Sequence, residues 1–134
     1  MGIGVRTATP ESVILTAPIT PNINHRETVF GGSASAICIL AAWSLIHLRL
    51  LDDPELHPRI VIQRNQMEYL KPVTGTFEAS CRTPGTAPWE RLARSLTRKA
   101  IGRIELSADL ISKRTVTGRF TGTFVVSSLD RPHE

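Results

Sequence analysis

Ten residues, Asn24–Ser33, read NHRETVFGGS and stand directly before the most apolar run of the chain. Two kinds of chemistry are available there. Gly31, Gly32 and Ser33 at a helix start would present backbone N–H groups at the positive end of the helix dipole, where a developing oxyanion is stabilised. Glycine also lets a carbonyl group approach the backbone closely. The same three residues would serve equally to turn the chain into a capped helix, with the Ser33 hydroxyl as N-cap. Just upstream, Asn24 could orient a water molecule. His25 offers an imidazole that takes a proton near neutral pH, and Glu27 a carboxylate that can act as a base when partly buried. In an ordinary polar loop all three would simply be solvated.

The elements that must position these residues follow from periodicity. From Ser33 to Pro54 no Gly or Pro intrudes, which predicts a helix over Ala34–Leu51. Its Ala36, Ile37, Ile39, Leu40, Ala41, Ala42, Trp43, Leu45, Ile46 and Leu48 cannot share one face, so other structure is expected all round it. Ser44, His47 and Arg49 interrupt the run, which favours a buried core helix over a membrane span. Ser12–Ala17 is a short strand ended by Pro18 and Pro21. Arg59–Leu70 is rich in β-formers, and Thr76–Arg82 follows the Pro72–Gly75 turn signal, so the two are expected to form a hairpin. Arg103–Lys113 alternates, with Ile104, Leu106, Ala108 and Leu110 on one face. Thr115–Ser127 alternates too, with Val116, Phe120, Phe124 and Val126 against Thr117, Arg119, Thr121 and Thr123. Between them WERLARSLTRKA has Trp89, Leu92, Ala93 and Leu96 at helical spacing after Pro88. Residues 1–11 read as a loose leader.

The order strand, long helix, two strands, short helix, two strands lacks βαβ alternation. It predicts an α+β domain in which a five-stranded antiparallel sheet wraps a central apolar helix. Its 134 residues are expected to form one domain, 1–134, with its core over about 12–127. Sixteen Lys+Arg against twelve Asp+Glu give +4. The excess is too small and dispersed, without aromatic-basic interleaving, to indicate nucleic acid. No zinc-ligand spacing appears, and no metal or cofactor is expected. Cys38 and Cys81 lie in apolar surroundings and read as reduced core thiols of a cytoplasmic protein. The N-terminal stretch MGIGVRTATPES lacks a signal peptide's apolar core, and Arg6 breaks the myristoylation pattern.

TVFGGS entering an apolar helix with LAAW, the strand phrase VIQRNQMEYLKPVTGTFEA, WERL, GRIEL and RFTGTFV together resemble the hot-dog-fold thioesterases, in particular those of the YiiD C-terminal-domain type. The resemblance covers roughly residues 12–127. It implies hydrolysis of an acyl-CoA or acyl-carrier-protein thioester, a homodimer or higher oligomer joined edge to edge, and sites where subunits meet. It also favours Gly32 as an oxyanion donor, beside Gly31 and Ser33. Phe30 is a candidate to touch the substrate, and Ser35, near the first turn of the helix, either helps to orient it or bonds back to the helix backbone. Thioesterases similar to the phenylacetate-pathway enzymes carry N-x-x-G-x-x-H-G-G followed by a helix acid. Here Asn24 and the two glycines match. Glu27 and Phe30 replace the first Gly and the His, and SASAICILAAW contains no acid. A base would then come from His25 or Glu27.

The strand Arg59–Leu70 places Gln63, Arg64, Asn65, Gln66 and Glu68 on both faces, which suits a hydrogen-bonded subunit interface. Asn65 and Glu68 are reserve candidates for a site shared across it. Arg91, Arg94 and Arg98 fall on one side of the short helix, with Lys99 and Arg103 just after. They are either a solvated face or a clamp for coenzyme A phosphates or an acidic acyl-carrier protein. A non-catalytic acyl-thioester binding module is the alternative function, motivated by the missing helix acid. A hot-dog dehydratase is another. No membrane partner is expected.

Overall fold

The computed structural model describes residues 1–128 of the chain. Its elements are β1 (Gly4–Thr9), β2 (Ser12–Ala17), a 3-10 turn at Thr20–Asn22, α1 (Gly31–Leu50), β3 (Pro58–Tyr69), β4 (Phe77–Arg82), α2 (Ala87–Lys99), β5 (Ile101–Ser112) and β6 (Thr115–Ser128). The strands form one antiparallel sheet in the order β1-β2-β4-β5-β6-β3, and α1 lies across it. This is the expected α+β architecture, with six strands instead of five.

The extra strand corrects the reading of residues 1–11 as a leader. Thr9 accepts the N–H groups of Glu11 and Ser12 on its hydroxyl, which closes the turn into β2. Gly4–Thr9 then pairs along β2, and Arg6 reaches Glu78 at 2.7 Å. Because β1 has no buried side chain, hydrophobic alternation could not reveal it.

The expected hairpin between the strands around residues 59–70 and 76–82 is also corrected. β4 pairs with β2 and β5, while β3 pairs with β6 and ends the sheet. Burial explains the choice. Phe77, Ala79 and Cys81 of β4 are buried under α1 and need strands on both sides, whereas most of β3 is exposed and can stand at an edge.

A bulge at Gln63 explains the polar residues on both faces of β3. Before it, Ile60 and Ile62 oppose Val126 and Phe124 on the helix-facing side; after it, Asn65, Met67 and Tyr69 oppose Gly122, Phe120 and Gly118 on that same side. One extra residue reverses the parity. A second bulge at Thr117 shifts β6 against β5. It buries Thr117, which was expected on the outer face, and its hydroxyl donates to the Leu110 carbonyl at 3.2 Å.

The core lies between α1 and the sheet. Ala34, Ile37, Cys38, Ala41, Leu45 and Ile46 are buried against Val13, Leu15, Phe77, Ala79, Leu106 and Phe120, among others. The other flank of α1 is not surrounded within one chain, contrary to expectation: Leu40 remains 40% exposed. α2 packs on β5 and β6, and Arg49 of α1 sits 5.0 Å over its Trp89 ring.

Candidate active site

The loop before α1 is built as a small hairpin. An isolated bridge joins Ile23 to Val29, and the Asn24 carboxamide ties the residues between them. Asn24 Oδ1 accepts from the Arg26 and Thr28 N–H groups and the Thr28 hydroxyl, and Nδ2 lies 2.9 Å from Thr28 Oγ1. This lets Glu27 hold a φ of 63°. His25 and Glu27 are exposed on its tip. Behind it, the buried Asn22 side chain donates to the Met1 and Pro18 carbonyls, and the Asn22 backbone carbonyl accepts the Phe30 N–H at 2.7 Å. That last bond fixes the chain where the helix begins.

The helix starts at Gly31, with Phe30 as N-cap at φ −62° and ψ 133°. This corrects the assignment of Ser33 as N-cap: Ser33 is the third residue of the first turn. No side chain caps this end. The Ser33 and Ala34 N–H groups donate to the Phe30 carbonyl, while those of Gly31 and Gly32 have no partner among the described residues. Two free amides therefore stand at the positive end of a 20-residue helix.

Gly31 and Gly32 line a cavity of about 590 Å³ whose other walls are Phe30, Ala34, Tyr69, Leu70, Val73 and Thr117, among others. Several elements converge to make it. The Tyr69 hydroxyl donates to the Gly31 carbonyl at 3.0 Å, the Val29 N–H to the Val73 carbonyl at 2.9 Å, and the Leu70 and Lys71 N–H groups to the Thr117 carbonyl. The Phe30 ring lies so close over Gly32 that a Cβ there would come 2.6 Å from it. A larger residue at Gly32 would have to displace that exposed ring. Apolar walls around two free donors suit a polarised carbonyl on an apolar substrate.

A model of the family described as "putative thioesterase (yiiD_Cterm)" matches residues 1–128. The chain belongs to that family. Solved structures agree with it. A protein of unknown function from Chlorobaculum tepidum is 28% identical with a TM-score of 0.86, over 96% of this chain and 83% of that one. A "putative thioesterase" from Shewanella oneidensis is 29% identical with a TM-score of 0.80, over 96% and 85%. A mutant of the phenylacetic acid degradation protein PaaI from Thermus thermophilus, 16% identical with a TM-score of 0.68 over 92% of each chain, shares the fold. The protein is a hot-dog-fold thioesterase.

Within this thioesterase the cavity brings together Phe30, Gly31 and Gly32 of the residues singled out in the sequence. Ser33 and Ser35 are half-buried in α1 outside its lining, and Asn24, His25 and Glu27 sit on the adjoining loop. Asn65 and Glu68 lie exposed on the edge strand β3. Arg91, Arg94 and Arg98 are exposed on α2, whose Trp89 meets Arg49 of α1 at the end of that helix away from Gly31. No ion pair holds them among the described residues, nor do three or more His, Cys, Asp or Glu gather there as metal ligands.

Tyr69, Val73 and Thr117 belong to the site and were missed. The aromatic hydroxyl ending a strand was the only visible signal. Burial pushes the Cys38 and Cys81 thiols up to about 12, which fits core residues and not nucleophiles.

Proposed function

We propose that the chain hydrolyses acyl-CoA or acyl-carrier-protein thioesters by direct attack of water, with no covalent intermediate and no cofactor, as a cytoplasmic homodimer. The observation that carries the reading is that Gly31 and Gly32, whose N–H groups have no partner among the described residues, both line the apolar cavity. The thioester carbonyl oxygen would lie on them. Water adds to the carbonyl carbon, and the oxyanion is held by both amides. The water proton passes to His25 or Glu27 of the adjoining loop; Asn24 positions that loop. Collapse breaks the carbon–sulfur bond, and the leaving thiolate takes the proton back.

The cavity of one chain contains no carboxylate or imidazole in its lining. The exposed edge of β3, carrying Asn65 and Glu68, supports pairing with a second copy that would bring such groups nearer. The cluster of exposed cations on α2 suits docking of an acidic carrier protein as thiol carrier.

The test is release of free thiol from a panel of acyl-CoA and acyl-carrier-protein thioesters by wild type and Glu27→Ala, His25→Ala and Gly31→Pro. Absence of turnover with every substrate, or indifference to all three changes, overturns the mechanism. A non-catalytic binding module is the second reading, favoured by the missing acid, and saturable binding without turnover would support it.

A further inference from the structure

The central strand β5 lacks a second neighbour along half its length. β6 pairs with it from Ile101 to Ser112, but β4 pairs only with residues 108–111. The cause is the path of the chain after Arg82. The Thr83 N–H donates to the Glu11 carbonyl at 2.9 Å, and the Trp89 indole N–H donates to the Thr83 hydroxyl. Both bonds lead the chain away from β5 and into α2. α2 then closes over Gly102, where a Cβ would come 2.9 Å from Leu92 and Ser95. The edge is left open over residues 103–107, about 16 Å of strand. Pro84 and Pro88 on the facing wall have no N–H with which to pair across the gap. Between wall and edge lies a cleft of about 400 Å³, bordered on the strand side by Ile104, Glu105 and Ser107.

The charge around this cleft is one-sided. Arg91 belongs both to it and to a smaller cleft of about 210 Å³ along α2, so the two adjoin. Together they are lined by Arg82, Arg91, Arg94, Arg98, Lys99 and Arg103, against the single acid Glu105. Arg103 leans away, its Nε donating to Gln63 Oε1 at 3.1 Å. None of the six is ion-paired among the described residues. We infer that this edge binds an acidic peptide in extended conformation, which adds to the sheet as a strand beside residues 103–107. Its carboxylates would meet Arg82 and the α2 arginines. The cations alone would hold any polyanion, but an open strand edge selects one with its own N–H and C=O groups. A second copy does not fit, because its exposed strands β1 and β3 carry Arg6, Arg59 and Arg64 and no acidic run.

The test is fluorescence anisotropy of a labelled octapeptide of alternating glutamate and threonine. Its controls are the fully N-methylated peptide, the lysine counterpart and a labelled oligothymidylate. Wild type should bind the glutamate peptide and not the lysine one. N-methylation, which keeps every charge and removes every N–H, should weaken binding by at least about tenfold. Arg82→Glu and Arg91→Glu should each weaken it by a similar factor. Hydrogen exchange on wild type gives the second readout. At saturating peptide, alternate amides within residues 103–107 should exchange at least about tenfold more slowly, while those of α1 keep their rates.

Equal binding of the N-methylated peptide overturns the proposal, as do unchanged exchange at residues 103–107 and the absence of binding at low salt. Oligothymidylate bound as tightly as the peptide would make the groove a general polyanion site and overturn it too. The exchange measurement needs no variant, so a misfolded charge reversal leaves it decisive. None of these readouts uses hydrolysis, and failure at the Gly31–Gly32 cavity would be seen separately.

Discussion

The hydroxyl of Tyr69 lies 3.0 Å from the carbonyl oxygen of Gly31 and donates to it. This contact ties the end of an edge strand to the first residue of the central helix. It also fixes the peptide carrying the Gly32 N–H, because the bonded carbonyl belongs to that same peptide unit. A hydrogen bond accepted by the carbonyl polarises the amide on its other side and strengthens its donor. Tyr69 stands 57% exposed at the mouth of the cavity, held there by its hydroxyl and not by burial.

Replacing Tyr69 by Phe removes that bond and little else. The expected cost is about 0.5–1.5 kcal/mol, at the low end because the site is open to water. If the bond orients the Gly32 peptide for the transition state, kcat falls by roughly two- to tenfold with KM nearly unchanged. Steady-state kinetics with one good thioester decides it. A rise in KM alone would mean that Tyr69 only lines the cavity.

Gly31→Pro isolates one oxyanion donor without disturbing the fold. Proline suits the first helical position, and Phe30 at φ −62° and ψ 133° already has the backbone that a residue before proline requires. A Cβ at Gly31 would meet the Tyr69 hydroxyl at an ordinary 3.5 Å. The N–H is lost and the ring Cδ takes its place. The expected result is an unchanged or slightly higher melting temperature and a kcat lower by roughly 10²–10³. A fully active Gly31→Pro would leave Gly32 as the only backbone donor.

Long, strongly patterned segments could be read without coordinates. The apolar run of α1, the alternation of β5, and Trp89, Leu92 and Leu96 at helical spacing in α2 each report burial that local sequence encodes. β1 could not be read, since it is held by pairing and by Arg6–Glu78 on a face that buries nothing. The bulges at Gln63 and Thr117 have no local signature either, and each reverses which side chains face the helix. For the site, Gly31 and Gly32 were visible because few structures other than a helix start want two glycines before an apolar run. Tyr69, Val73 and Thr117 were not, because their meeting depends on where the chain crosses after β3. Ser33 was misread as the cap because a serine at that place usually is one; here Phe30 takes the position and leaves the donors uncapped.

Asn24 matched a catalytic pattern in sequence, and its contacts make it a positioning residue. Asn24→Ala removes the acceptor of three bonds and should cost about 1–2 kcal/mol, together with much of the activity. Asn24→Asp keeps that acceptor and loses only the Nδ2 contact to Thr28. It should recover most of both, as read by urea unfolding and by kcat. If Asn24→Asp folds as well as wild type yet stays as inactive as Asn24→Ala, the carboxamide itself touches substrate or water.

The α2 cations predict a salt-sensitive encounter with an acidic thiol carrier. Charge reversal at Arg91, Arg94 and Arg98 should raise KM for an acyl-carrier-protein substrate by about tenfold or more and flatten its dependence on ionic strength. Kinetics at several salt concentrations, with the matching acyl-pantetheine in parallel, separates docking from chemistry. If KM moves equally for both substrates, the face does not dock the carrier.

Cys38 on α1 and Cys81 on β4 give the fold an alkaline limit. Burial pushes both up to about 12 from an ordinary 9.0, and at Cys38 the negative charges of Cys81 and Asp109 add to it. In the unfolded chain they ionise first, so the unfolded state binds fewer protons between those values. Stability from these thiols is therefore fully present below pH 9.0 and declines as the pH rises from 9.0 towards 12. Urea midpoints measured at intervals from pH 8 upwards should fall across that window. In a Cys38→Ala, Cys81→Ala double variant the midpoint should start lower, from lost packing, and slope less. Equal slopes in the two proteins would assign the alkaline loss to other groups. Labelling with a thiol reagent at neutral pH supplies the control: both cysteines should react only at the rate at which the native structure opens.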